Sequence, residues 1–138
     1  MDVGLQLICH AVGDYVLQNH TMAVRKTASW FWTAIHATLY TVPFVIVFGF
    51  SWAIPIIGVT HAVIDRYRLA NLWVHFWGTG CEGWVMRQFR ARRPRKINET
   101  QPLEMDAPPW LSVWLMIIVD NVFHVIINAV SLHHLGVV

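Results

Sequence analysis

The sequence is poor in charge. Asp, Glu, Lys and Arg make up 13% of its 138 residues, against about 25% in an ordinary soluble domain. That shortfall excludes a disordered chain and a coiled coil and argues against a soluble enzyme. Cysteine is scarce as well. Cys9 and Cys81 stand alone and far apart, which excludes a disulfide scaffold, a zinc ribbon and a C-x-x-C redox motif and leaves free thiols as the default. Met1-Asp2-Val3-Gly4 has no basic region and no small-residue cleavage site follows it, so no cleaved signal peptide is expected. Gly78-Thr79-Gly80 lacks the lysine and hydroxyl of a P-loop and reads as a turn. There is no internal repeat and no low-complexity stretch.

What the chain has in excess is apolar surface. Hydrophobic residues reach 56% and Trp occurs eight times, with a mean hydropathy of +0.46. Trp collects at membrane–water interfaces. The expected fold class is all-α: a polytopic membrane helical bundle of three to four transmembrane helices, forming a single domain over residues 1–138. The spans are expected at about 3–18, 28–50, 52–70 and 110–132. A bilayer core asks for about 20 apolar residues of helix. The last three segments meet that length. The first is short and broken by His10 and Asp14. Gly49-Phe50-Ser51 marks a tight break, so the second and third segments should form an antiparallel hairpin. Pro108-Pro109 suits the first turn of the last helix.

The basic residues give an orientation. Arg25-Lys26 precede the second segment, Arg66 and Arg68 end the third, and six of the ten basic residues lie between Arg87 and Lys96. With the last three segments spanning, all these clusters fall on one side. The positive-inside rule makes that side cytoplasmic, with a cytoplasmic loop at about 71–107. Trp84, Val85, Phe89 and the arginines among them predict a basic interfacial helix in that loop. Anchoring to anionic headgroups outweighs nucleic-acid binding as the reading of the basic run. Arg66 and Arg68 read as topology anchors more readily than as substrate clamps.

The informative residues are the polar ones in apolar segments. Asp and His in hydrocarbon are costly and normally face a partner, a cavity or a metal. His10 with Asp14, His61 with Asp65, and Asp120 with His124 share one spacing, i and i+4, which places both side chains on one helix face. Random placement predicts roughly 0.6 such pairs. His36 adds a seventh group, with Tyr40 one turn on. At 1.5 Å per residue, His36 and His61 lie about 12 and 13 Å in from the same end of the bundle, and Asp120 and His124 about 15–21 Å. His10, Asp14, His36, His61, Asp65, Asp120 and His124 are therefore expected to converge. Mixed imidazole and carboxylate donors suit Zn²⁺ first, with Mn²⁺ or Fe²⁺ as alternatives, as one ion or two bridged by an aspartate. Gln18 and Asn121 are candidates to orient those ligands.

These residues also resemble a known pattern. His10, Asp14, Tyr15 and Gln18, then Lys26, His36 with Tyr40, His61 with Asp65 and Arg66, and Asp120, Asn121 and His124 resemble a family of small bacterial and phage membrane proteins of unknown function. Its motifs run H-x3-D-[FY]-x2-Q, H, H-x3-D and D-Q-x2-H. Asn121 departs from the usual Gln. The arrangement is similar in style to inner-membrane metal-dependent hydrolases, an analogy that carries no substrate.

The expectation for function is a membrane-embedded metal-dependent hydrolase acting on an ester, a phosphate ester or lipid in particular, with Asp14 or Asp65 as general base. Two alternatives use the same residues: a cation or proton transporter, and a non-catalytic regulatory membrane protein such as a phage factor acting on a host partner. The bilayer is the expected partner. A homodimer is compatible with this size, and no motif demands one.

Overall fold

A computed structural model of the protein describes residues 2–77 and 109–136. All regular structure among them is helical. The chain divides into two compact units, Met1–Arg68 with Asn121–Val138, and Leu69–Asp120.

The first unit opens with α1, Val3–Ala11. The Asp2 carboxylate starts it by accepting the N–H groups of Gly4 and Leu5 at 2.8 and 3.2 Å, as an N-cap should. The helix then widens into a π turn, Val12–Val16, and the Leu17 N–H donates to the Val12 carbonyl at 3.0 Å. A short α2, His20–Arg25, is capped by Asn19, whose side-chain oxygen accepts the Met22 N–H. A tight turn leads to α3, Trp30–Phe48. The Thr33 hydroxyl holds that turn, within bonding distance of the carbonyls of Lys26 and Ser29 at 2.5 and 2.9 Å.

Gly49 ends α3 at φ 74°, a backbone state that favours glycine. The chain reverses into α4, Ala53–Tyr67, so the expected hairpin is present. Arg68, at φ 52°, stops α4. Gly13 sets how closely the π turn approaches α3. A Cβ there would lie 2.8 Å from both the Tyr40 carbonyl and the Tyr40 ring, so only glycine fits.

The second unit contains α5, Leu69–Trp77, and the first part of α6, Pro109–Leu135. Pro109 opens α6, where a missing N–H costs nothing. The remainder of α6, from Asn121, belongs to the first unit.

Polar groups sit inside the first unit and apolar groups outside. Gln6, His10, Asp14, Thr33, His36, His61, Asp65, His124 and Asn128 are buried, while Val3, Ile8, Phe31, Ile46, Val59, Ile126 and Val130 are exposed. An apolar cluster of Cys9, Tyr40, Phe44, Ala53, Ile54, Ile57 and Leu132 fills the space beside them. Cys9 carries a free thiol.

Among the described residues, two helical stretches are long and apolar enough to cross a membrane, Trp30–Phe48 and Val113–Leu135. The other two expected spans are held by shorter elements: α4 has 15 residues and α1 has nine, with five more in the π turn. At 1.5 Å per residue α4 reaches about 22 Å, short of a hydrocarbon core of about 30 Å. Helix α5 occupies the start of the expected loop at 71–107. The interfacial helix around Trp84–Phe89, the basic run Arg87–Lys96 and Cys81 lie outside the described residues.

Candidate metal centre

Three elements of the first unit bring four ligand-type side chains to one point. Asp14 comes from the π turn, His36 from α3, and His61 with Asp65 from consecutive turns of α4. Each offers one donor atom, and these four atoms lie within 4.8 Å of one another. All four residues are buried, none more than 6% exposed. His36 Nε2 is 2.9 Å from His61 Nε2 and 3.2 Å from Asp14 Oδ1 and from Asp65 Oδ2. His61 Nε2 is 3.2 Å from Asp65 Oδ2 and 3.9 Å from Asp14 Oδ1.

These spacings fit an ion. A tetrahedral metal with bonds of about 2.0–2.1 Å sets its donors about 3.3–3.4 Å apart, and the five distances bracket that value. Proton sharing fits less well. A ring nitrogen carries one hydrogen or one lone pair, yet His36 Nε2 faces His61, Asp14, Asp65 and Lys26 at 2.9–3.3 Å. One central cation satisfies all the donors together. Ligation through Nε2 leaves the proton on Nδ1, and among the described residues neither His36 Nδ1 nor His61 Nδ1 has a hydrogen-bond partner, such as the outer acceptor usual for a ligating imidazole.

Lys26 enters from the turn after α2. Its Nζ lies 2.8 Å from Asp65 Oδ2, 3.3 Å from His36 Nε2 and 3.7 Å from Asp14 Oδ1. Arg66, next to Asp65, donates to the Thr27 carbonyl and lies over the Trp30 ring, 5.3 Å from its centroid. Arg66 thus fastens α4 to the turn that carries Lys26.

Further groups of the first unit lie beside this centre. Tyr40 stacks on His61, centroids 3.7 Å apart and planes 10° off parallel. Asn128 Nδ2 donates to the Tyr40 hydroxyl at 2.6 Å, and the hydroxyl reaches His10 Nδ1 at 2.9 Å. His10 Nε2 is 2.6 Å from Asn121 Oδ1, and Asn121 Nδ2 donates to the Tyr15 hydroxyl at 2.6 Å. The amide orientation of Asn121 fixes the histidine: Nε2 carries the proton and donates, and Nδ1 accepts from Tyr40. Both His10 nitrogens are therefore engaged with protein groups.

His124 is buried, with its ring 4.3 Å from that of His61 and 5.7 Å from that of His10. It offers a donor atom within 4.8 Å of an Asp14 oxygen, which places it beside the four rather than among them. Asp120 precedes it by one turn of α6 and belongs to the second unit. Gln18 is half-buried, and its Oε1 has no hydrogen-bond partner among the described residues. Of the seven expected groups, the first unit therefore gathers Asp14, His36, His61 and Asp65 most tightly.

Residues 3–134 match a family described as a protein of unknown function, DUF3307. The chain belongs to the DUF3307 family. That match spans every residue of this centre, consistent with the expected resemblance to a family without an assigned function. No curated protein matches this DUF3307 chain, and no solved structure does.

Two residues of this DUF3307 protein near the centre, Lys26 and Asn128, carry no site role from sequence. Lys26 read as a topology anchor because it sits at the edge of an apolar segment, although it stands among the motif residues. Asn128 passed unremarked. Its signal was the polar recurrence Asn121, His124, Asn128 and Ser131, which marks one face of an otherwise apolar helix.

Proposed function

We propose that this protein is a membrane-embedded metal-dependent hydrolase acting on an ester. One observation carries the reading: four buried donors from three elements converge at the spacing of a single transition-metal ion. Zn²⁺ suits a set of two imidazoles and two carboxylates. The inverted burial pattern, the two long apolar helical stretches and the eight Trp support residence in a bilayer. The proposed membrane is the bacterial inner membrane, with the basic loop on the cytoplasmic side.

The donor set divides by distance. His36, His61 and Asp65 form a close triangle of 2.9, 3.2 and 3.2 Å and would hold the ion. A bound zinc supplies Lewis acidity and lowers the pKa of water to about 7. Asp14 is the outlying member, 3.9 Å from His61, on a π turn of the kind often found at functional sites. With the ion held by the other three, its carboxylate would orient a water and accept its proton as general base.

The test is turnover. Detergent-purified protein should hydrolyse p-nitrophenyl phosphate or phosphatidic acid in a reaction that a chelator stops and zinc restores. Asp14→Asn should keep the metal and lose about 10²–10⁴-fold in kcat. Turnover indifferent to chelator, or unchanged in Asp14→Asn, contradicts the reading. A second reading, proton or cation transport, draws on the hydrogen-bonded run from Asn128 to the exposed Tyr15. Zinc-dependent ion flux in proteoliposomes without ester turnover would favour it.

A further inference from the structure

The metal reading leaves Lys26 to be explained. Its ammonium lies 2.8–3.7 Å from three of the four donors, at the edge of the space the ion would fill. Two cations cannot share that space, since their repulsion is strong at such short range. We infer that Lys26 holds the place of the ion in the empty centre and, displaced by the ion, binds the oxyanion of the substrate in the loaded one. This inference rests on the metal reading and extends it to the substrate class, an anion of the phosphate-monoester type.

Charge and attachment both support the second role. Two carboxylates cancel a dication, so a displaced Lys26 leaves the loaded site with one surplus positive charge. A surplus charge in a buried site calls for a counter-ion. The lysine cannot travel far, because its backbone is pinned on both sides. The Thr33 hydroxyl meets the Lys26 carbonyl at 2.5 Å, and Arg66 donates to the Thr27 carbonyl. Arg66 is itself committed to that carbonyl and to the face of Trp30, so of these two neighbouring cations Lys26 is the one able to follow a ligand. The Lys26 side chain is 14% exposed against 4% for that of Asp65, so it stands on the open side of the cluster. An anion that reaches the ion from that side meets Lys26 first.

The experiment is zinc titration against a competing chelator, on the full chain in neutral detergent, with and without inorganic phosphate. Lys26→Gln should bind zinc about ten-fold tighter than wild type, because a tethered competitor is gone. Phosphate should raise the zinc affinity of wild type and of Lys26→Arg by about ten-fold and leave Lys26→Gln unmoved. Repeating the titration in nanodiscs with and without phosphatidic acid separates a lipid headgroup from free phosphate. A response to either one supports the assignment, and a response to neither overturns it.

A measurement on wild type alone guards against a misfolded variant. Lys26 and Lys96 are the only lysines, so acylation of each can be followed by peptide mass. Zinc should expose Lys26 to the reagent and leave Lys96 unchanged. Zinc bound with Lys26 equally protected, or Lys26→Gln binding zinc no tighter than wild type, overturns the inference and leaves the metal site standing. Absence of zinc binding in every form overturns both.

Discussion

At the scale of the residue, the centre depends on groups that are expensive to bury and that share one solution to that expense. His36 and His61 could be singled out from sequence because an imidazole inside an apolar run needs a partner. Asp14 and Asp65 could be singled out for the same reason. Lys26 could not, because a lysine at the edge of such a run has a ready explanation as a topology anchor. Tyr40 shows how second-layer groups act. Its ring lies flat on His61, and its hydroxyl joins Asn128 to His10. Tyr40→Phe keeps the ring and removes both hydrogen bonds, leaving two buried polar atoms to find new partners at about 1–3 kcal/mol each. The expected outcome is a lower melting temperature in detergent with the metal content retained. An unchanged melting temperature, or loss of the metal, would contradict the role assigned to Tyr40.

At the scale of the element, the sequence was informative where regular helix geometry holds and silent where it breaks. Depth arithmetic at 1.5 Å per residue set His36 and His61 level, and their nitrogens stand 2.9 Å apart. The π turn at Val12–Val16 was not legible, because a search at the 3.6-residue period assumes the regular helix that this turn interrupts. Nor was it visible that α4 would stop at Arg68 in the left-handed region. The π turn has a direct consequence. It presses Gly13 against the backbone of Tyr40 and so delivers Asp14 to His36. Gly13→Ala places a methyl group 2.8 Å from main-chain oxygen, which must move the turn away. We expect a loss of about 1–3 kcal/mol, as in overpacked cores, read by thermal melting, together with loss of the turnover that Asp14 would support as general base. Unimpaired turnover in this variant would mean that Asp14 is not placed by this contact.

At the scale of the whole molecule, the account joins a bilayer to a metal. Among the described residues Asp14, Asp65 and four histidines are buried, while many Ile, Val and Phe side chains are exposed, as in a bundle surrounded by lipid. The orientation proposed from the basic residues predicts that a cysteine placed at Arg92, in a variant lacking Cys81, reacts with an impermeant reagent only after the cells are opened. Labelling from outside would reverse the topology. The ion would join α3 and α4 through His36, His61 and Asp65, so its removal should loosen both. A ligand present at 100 times its Kd contributes about 2.7 kcal/mol to stability, and a chelator should lower the melting temperature accordingly. The most direct test of the central claim is elemental analysis of the protein purified without added metal. The account predicts about one transition-metal ion per chain, zinc foremost, falling close to zero in His61→Ala and in Asp65→Ala. Wild-type protein free of metal, or a metal content indifferent to these two substitutions, would contradict it.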